Sequence, residues 1–531
     1  MTSKWVVQMR NAGLWPIMLV CGMLLVPSFA EAVTYYTATS GGSDGNSCAT
    51  AQTHTTGKAT IAGGLSCLSA GDTLEVKAGT YDEALTAGFA PDGISDGAHT
   101  IIKNYSTDTV LLLPTTCGGV GDAVWFYGDR WITWDGIDVQ APNCVNQGFR
   151  IDNDSNHIVI QNSEISNAVN SNCIGMGGVP APTFISILNN VVHECGKNNE
   201  PFGHNIYTKG FDHIIDGNTI YNSAGDGGSG IQAYEPNGTG NDRTRISNNI
   251  VYLNVRNGIY IGQGDDMLVY NNIIYSNNQG AVGAWGISIS TGAVDALVFH
   301  NTIYNHVGTA GINIASGATR AIVRNNILYS NGNGDLVVDL GANSTIRDNT
   351  KVNPTFASGT PTAALDFVLI SPSAAIGENF SAANVGTSSG SFADLTASIP
   401  GVATDYFGDT RDSPFDAGAI GFDLDGPPVS DGTLVLATNT ISWTYASEAG
   451  FTHYRIYLDC TGVTSTSPYM ALPTTDALIK KDGTGTYNDL TNKYVVPKAS
   501  GVDCPTLHVR IRPISSGTEG DFSTEAVWTV P

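Results

Sequence analysis

The sequence predicts an all-β protein: a single-stranded parallel β-helix followed by a small antiparallel β-sandwich. One phrase recurs between residues 156 and 351: an aliphatic, two residues, an anchor, one residue, a second aliphatic, and often then Tyr. The anchors are Ser163, Asn190, Asn218, Asn249, Asn272, Asn301, Asn326 and Asn349, at intervals of 23 to 31 residues. Three positions before each stands Ile160, Ile187, Ile215, Ile246, Val269, Val298, Val323 or Ile346, without exception. The apolar runs are only 3 to 5 residues long and dominated by β-branched side chains, too short for helices. A repeat of this period built from such runs indicates a solenoid of short strands.

Each coil holds three strands. The first is a Gly-Ile-x-aliphatic run, as in Gly230-Ile231-Gln232-Ala233, Gly258-Ile259-Tyr260-Ile261, Gly286-Ile287-Ser288-Ile289 and Gly311-Ile312-Asn313-Ile314. The second leads into the anchor, and the third follows it. Coils stacked about 4.8 Å apart place aliphatics of the same phase in continuous inner columns. The anchor Asn is expected at the tight turn between the second and third strands. Asn tolerates the left-handed conformation, and stacked amides can bond coil to coil. Tyr221, Tyr252, Tyr275, Tyr304 and Tyr329, with His193 in the same place, open the next turn.

These repeats resemble the right-handed parallel β-helix superfamily over residues 33 to 425. That superfamily includes pectate lyases, polygalacturonases, chondroitinase- and alginate-lyase-like enzymes, C5-epimerases and tailspikes. The resemblance implies the right-handed fold and leaves the activity open, because one scaffold carries many chemistries. Residues 70–81 resemble the usual first full coil. Residues 131–137 fit the repeated phrase, with Gly136 in the anchor place, 27 residues before Ser163. Residues 352–425 resemble a closing segment, expected to cover the open end of the stack. Within it Asp405, Asp409, Arg411 and Asp416 are read as structural.

Gly426-Pro427-Pro428 reads as a linker. In residues 427–531 the stretches Thr440–Trp443, Tyr454–Tyr457 and Leu507–Arg512 alternate in and out. They resemble a fibronectin type III sandwich, although Leu507 stands where that family has Tyr.

Residues 1–32 read as a secretory signal. Lys4 and Arg10 supply the positive start, residues 14–26 the apolar run, and Ala30-Glu31-Ala32 a cleavage site. No other segment reads as membrane-spanning. Eight cysteines then remain, an even number that suits disulfides in an exported chain. Neighbour pairing gives 48–67, 117–144, 173–195 and 460–504. The net charge of −24 argues against a nucleic-acid partner. It would also repel a polyanionic sugar unless a local basic patch or a cation offset it.

In enzymes of this fold the substrate usually lies along the outer face of the first strand. Alternation puts Arg150, Asp152, Gly175, Asn205, Tyr207, Gln232, Tyr234, Tyr260, Ser288, Ser290 and Asn313 on that face, with no apolar residue before Val337. Tyrosines pack against sugar rings, and amides and hydroxyls bond sugar hydroxyls. The expected partner is therefore a polysaccharide. Arg150, Asn205, Gln232, Tyr260, Ser288 and Asn313 are the candidate substrate-binding residues.

The resemblance to uronate lyases implies a neutraliser for the carboxylate, a base for the C5 proton and an acid for the leaving oxygen. Lys209 or His204 is the candidate base, and Tyr207 or Tyr234 the candidate acid. Glu200, Asp226 and Glu235 would act only through a metal such as Ca²⁺. His193 is read as structural. Asp265 and Asp266 lie in a turn rather than on a first strand, which disfavours a paired-carboxylate hydrolase. The leading expectation is a secreted polysaccharide-binding protein with lyase-type chemistry. The alternatives are a non-catalytic surface or matrix protein, and a polysaccharide hydrolase or epimerase.

Overall fold

The computed structural model describes residues 32–117, 121–198, 203–225, 227–235, 240–280, 283–308, 310–335 and 337–369. Beyond these it describes residues 375, 404–406 and 417–420 and the strands between 433 and 529. The stretch expected to be a secretory signal (through residue 31), Asp409, Arg411, Asp416, Cys460 and Cys504 lie outside the described residues.

Short strands stack into three parallel sheets of 12, 10 and 9 strands. We call them sheet A (strands leading into the anchor), sheet B (strands following it) and sheet C (the Gly-Ile runs). The single described α-helix, Ile61–Leu65, packs its buried Ile61 and Leu65 beneath the first strands of sheet A. In sheet A, Ile160 pairs with Ile187, and the register continues through Ile215, Ile246, Val269, Val298 and Val323 to Ile346. All but Ile346 are 0 % exposed. Each such burial contributes roughly 1.5–3 kcal/mol, so in-phase aliphatics are what hold the rod together.

From His157 to Ser330 each coil turns three corners, and each corner places one residue in the left-handed region. In one coil these are Phe184, Asn189 and Glu194; a later coil uses Asp295, His300 and Asn305. The anchor itself is not the left-handed residue, contrary to expectation. The residue just before it is: Asn162, Asn189, Gly217, Asn248, Asn271, His300, Asn325 and Asp348. Gly136 has φ +66° and likewise matches Asn162, since Trp134 pairs with Ile160. Gly136 is therefore the corner residue, not an anchor.

The anchors form a buried amide ladder. In each step from Asn to Asn, an anchor's backbone N–H and its Nδ2 both donate to the Oδ1 of the next anchor; for Asn190 and Asn218 the distances are 2.9 and 3.1 Å, while Ser163 donates its backbone N–H alone to Asn190 Oδ1 at 3.0 Å. Nδ2 also donates to a carbonyl of the preceding coil, as Asn249 does to Ile215 O at 2.9 Å. The ladder leaves each amide satisfied inside the rod, as burial of polar groups requires. A second ladder lies two residues after the Tyr column. There Asn254 donates from N and Nδ2 to Asn277 Oδ1 at 3.0 and 2.8 Å, and Ser223 N donates to Asn254 Oδ1 at 3.0 Å.

The Tyr column stands on the outer face of sheet B. His193, Tyr221, Tyr252 and Tyr275 stack with successive centroids 4.6, 5.0 and 4.9 Å apart. Residues 353–369 fold back across this face. Phe356, Phe367 and Leu369 bury against Ile273, Tyr275 and Ile327, together with Ala375, Ala417, Ala419 and Ile420. Tyr275 OH donates to Thr362 O at 2.5 Å, and Gly418 N to Asn325 O at 2.9 Å. The described part of the C-terminal segment thus covers a flank, where an end cap was expected. The reason is visible in sheet B, whose outward Ile250, Ile273 and Ile327 would otherwise meet water. Sheet A is also apolar outside in these coils, with Leu297 and Phe299 buried. There Asn271 Nδ2 donates to Thr404 O at 2.9 Å.

Three disulfides join Cys48–Cys67, Cys117–Cys144 and Cys173–Cys195, as neighbour pairing predicts. From residue 433 the described strands are antiparallel. Thr440–Thr444 pairs with Thr433–Ala437 and Thr484–Tyr487, and Phe451–Asp459 pairs with Tyr469–Pro473 and Thr506–Ser515.

Candidate functional site

Sheet C is left with a polar outer face. Its register aligns Trp125, Arg150, Gly175, Tyr207, Gln232, Tyr260, Ser288, Asn313 and Val338 in one column. A second column two residues on carries Tyr127, Asp152, Gly177, Lys209, Tyr234, Gly262 and Ser290. The apolar interruption is Val338, since Val337 pairs with the inward Ile312. Trp125 extends the column one coil further than the sequence indicated. Its signal was alternation about the inward Val124 and Phe126.

The aromatic part runs from Trp125 to Tyr260. Arg150 lies over the Trp125 ring, 5.1 Å from its centroid. Tyr234 and Tyr260 meet edge-on with centroids 6.0 Å apart. Tyr260 OH bonds Ser290 Oγ at 2.6 Å, and Ser229 Oγ stands 3.4 Å from Gln232 Oε1. Ser288 and Asn313 continue the column but are only 4 % and 9 % exposed, with Asn313 Nδ2 3.5 Å from Ser288 Oγ. The usable face is therefore shorter than the stripe drawn from sequence.

Asn205 does not face outward. It is 0 % exposed, and its Nδ2 donates to Tyr221 O and Asn254 Oδ1 at 2.8 and 3.0 Å, which makes it part of the second ladder. The strand here is only Ile206–Thr208. Alternation holds along those three residues and fails at the corner before them.

Three of the candidate acid and base groups, His204, Tyr207 and Lys209, are held in structural bonds, while Tyr234 meets Tyr260 through its ring. His204 is 2 % exposed, accepts from Ser229 N at Nδ1 (3.1 Å), and is pushed down to about 3 by burial, with Arg256 adding in the same direction. It is a neutral interior ring rather than an accessible base. Tyr207 OH donates to Tyr234 O at 2.8 Å, and burial pushes its phenol up to about 12. Lys209 Nζ pairs with Glu235 Oε2 at 2.8 Å, with side chains 12 % and 0 % exposed. His213 is likewise internal: its Nδ1 accepts from Ile185 N (3.2 Å), its Nε2 stands 3.0 Å from Lys209 O, and burial lowers it to about 4.

Of the three carboxylates considered for a metal, Glu200 and Asp226 lie outside the described residues. Glu235 turns its carboxylate to Lys209. No group of three or more His, Cys, Asp or Glu among the described residues stands close enough to hold a metal ion. The described donors do not fit a Ca²⁺ site.

No curated protein matches the chain. Among solved structures it is similar to one described as pectate lyase Pel9A, at 14 % identity and TM-score 0.47, covering 68 % of this chain and 95 % of that one. It is similar to a rhamnogalacturonan lyase at 14 % identity and TM-score 0.38, covering 62 % and 91 %. It is also similar to the Azotobacter vinelandii mannuronan C-5 epimerase AlgE6 A-module, at 17 % identity and TM-score 0.36, covering 53 % and 91 %. Likenesses at these identities and TM-scores do not extend to activity or substrate. Over the best-formed coils, residues 183–350, the chain matches the family described as right handed beta helix region.

Proposed function

We propose that the protein is an exported glycan-binding rod that holds a polysaccharide along the outer face of sheet C. The observation that carries this reading is the aligned column from Trp125 through Arg150, Tyr207 and Gln232 to Tyr260. Its members repeat every ~4.8 Å and offer ring faces beside amide, hydroxyl and guanidinium groups. In the later coils the apolar outer face of sheet B is engaged by the described C-terminal segment, whereas the outer column of sheet C carries no such cover among the described residues.

Binding, rather than lyase cleavage, is what these groups are placed to do. A base must reach a substrate proton, and His204, Lys209 and Tyr207 are each committed to an internal partner. The three disulfides suit an exported protein. We read the antiparallel strands after residue 433 as a fibronectin type III-like sandwich that spaces or anchors the rod.

Affinity electrophoresis against a panel of neutral and acidic polysaccharides tests the reading. At least one glycan should retard the protein, and Tyr260→Ala and Gln232→Ala should each weaken retardation about tenfold or more while melting as the parent does. Retardation by no glycan, or by one that both variants still bind equally, would sink it. Accumulation of unsaturated products from any uronate polymer would show that cleavage had been wrongly set aside.

A further inference from the structure

The cover over sheet B does not close tightly at its end. Where residues 353–361 cross the last pair of the Tyr column, a cavity of about 250 Å³ remains. Its wall is aromatic. The Tyr304 and Tyr329 rings stack with centroids 6.1 Å apart and planes 29° from parallel. Phe356 meets both steeply, 6.0 Å from Tyr304 and 6.4 Å from Tyr329. Pro361 is buried in the same wall. In the earlier coils the column rings lie only 4.6 to 5.0 Å apart. Phe367 packs against Tyr275 and Tyr304, and beyond it the last pair is spread wider.

The rim is polar and carries no charge. Asn353, Thr355 and Ser358 line it, and none of the lining residues is acidic or basic. Asn353 Oδ1 accepts from Thr355 N at 2.9 Å, so its Nδ2 remains to donate. Thr355 has φ +53°, a left-handed conformation that a β-branched residue seldom adopts. Such strain costs on the order of 1–3 kcal/mol and collects at ligand sites. The mouth is open at exposed Gly359, where an added Cβ would meet nothing within 4 Å among the described residues.

Size and chemistry together select the occupant. A cavity of about 150 Å³ takes a benzene ring, and drug-sized ligands need about 300–1,000 Å³. The space therefore suits one six-membered ring with its substituents. The aromatic wall fits the C–H face of a pyranose, and the amide and hydroxyls of the rim fit its hydroxyl groups. A proline ring would fill the wall and leave the rim unused. An ionised group would leave water without gaining a counter-charge.

We propose that this pocket binds a single uncharged pyranose, as a chain end or side branch of a glycan presents it. The site lies on the sheet B flank, apart from the sheet C column, and does not rest on binding there. A ligand of about a dozen heavy atoms at roughly 0.3 kcal/mol per atom binds in the millimolar range.

The experiment titrates the full chain by saturation-transfer NMR with the methyl glycosides of glucose, galactose, mannose and xylose, with glucuronate and with hexaproline. Wild type, Tyr329→Ala, Thr355→Val and Tyr260→Ala are compared, and thermal melting checks folding. At least one neutral glycoside should bind in the millimolar range. Tyr329→Ala should weaken it about fivefold or more, and Thr355→Val, which keeps the side-chain shape, about threefold or more. If Tyr329→Ala fails to fold, Thr355→Val decides. Binding of no glycoside overturns the pocket. Binding that Tyr260→Ala removes and both pocket variants leave untouched assigns the sugar to sheet C and overturns the pocket alone. Tighter binding of glucuronate overturns the neutral preference. Tighter binding of hexaproline, weakened by Tyr329→Ala, makes the site a peptide pocket and overturns the sugar.

Discussion

Asn218 donates both its backbone N–H and its side-chain Nδ2–H to the single Oδ1 of Asn249, at 2.9 and 3.0 Å, inside the rod where neither residue meets solvent. Asn249 in turn donates Nδ2 to Ile215 O and to Asn272 Oδ1, each at 2.9 Å. Asn249→Ala would strand the Asn218 backbone N–H and remove the Nδ2 donor to the Ile215 carbonyl, while Asn218 Nδ2 keeps Ile187 O and Asp216 O. At about 1–3 kcal/mol for each buried orphan, the loss should reach roughly 3–5 kcal/mol. Asn249→Asp should be worse, since a carboxylate would face two acceptors. Urea unfolding of both variants checks the order; an Asp variant as stable as the parent would contradict the ladder.

Stability should also fall as pH rises through neutrality. Asp129 is 5 % exposed and accepts from Tyr127 N at 2.6 Å. Burial raises it from 3.8 to about 7, with nearby Asp92 adding in the same direction. A carboxyl raised in the fold holds its proton more tightly there than in the unfolded chain. Its contribution is therefore fully present below pH 3.8 and is lost as pH rises through about 7. Each pKa unit is worth about 1.4 kcal/mol, so the cost at pH 8 is on the order of a few kcal/mol. Asp129→Asn keeps an acceptor for Tyr127 N and cannot ionise. It should melt like wild type at pH 4 and higher than wild type at pH 8. Parallel melting curves at both pH values would refute this.

The flank cover on sheet B makes its own prediction. Phe367 is 1 % exposed, with its ring 5.3 Å from Tyr275 and 5.7 Å from Tyr304. Phe367→Ala should cost roughly 3–5 kcal/mol in that packing. It should also uncover Ile273 and Ile327, so that a hydrophobic dye binds and protease cuts first between residues 352 and 369. An unchanged digestion pattern would mean that the segment is held by something other than this cluster.

The interior was legible because it depends on phase alone. Ile160 to Ile346 align in register since one inward aliphatic per coil is the condition for a dry core. The corners were less so. The left-handed residue was assigned to the anchor because Asn suits both jobs. Gly136 and Gly217, which stand one position earlier, were the signal that separates backbone need from side-chain bonding. Asn205 was misplaced for a related reason: a strand of three residues ends before alternation can be extended to its neighbour. The ion pair of Lys209 with Glu235 was out of reach, because 26 residues of sequence separate two groups that only the coil stacking brings together.

That ion pair separates a structural lysine from a catalytic one. Glu235 is fully buried, and Lys209 is the cation beside it at 2.8 Å. Removing one partner of a buried pair leaves an uncompensated charge, typically at a cost of 3–5 kcal/mol. Lys209→Ala should therefore lower the melting temperature sharply at pH 7. The double variant Lys209→Ala/Glu235→Gln should recover much of the loss, because no bare charge remains. A lysine that served chemistry alone would behave in the opposite way: its loss would leave the melt unchanged and abolish any turnover, and the second substitution would restore nothing. Melting curves of the two single variants and the double variant close the thermodynamic cycle. A coupling near zero would release Lys209 from its structural role and return it to the candidate bases.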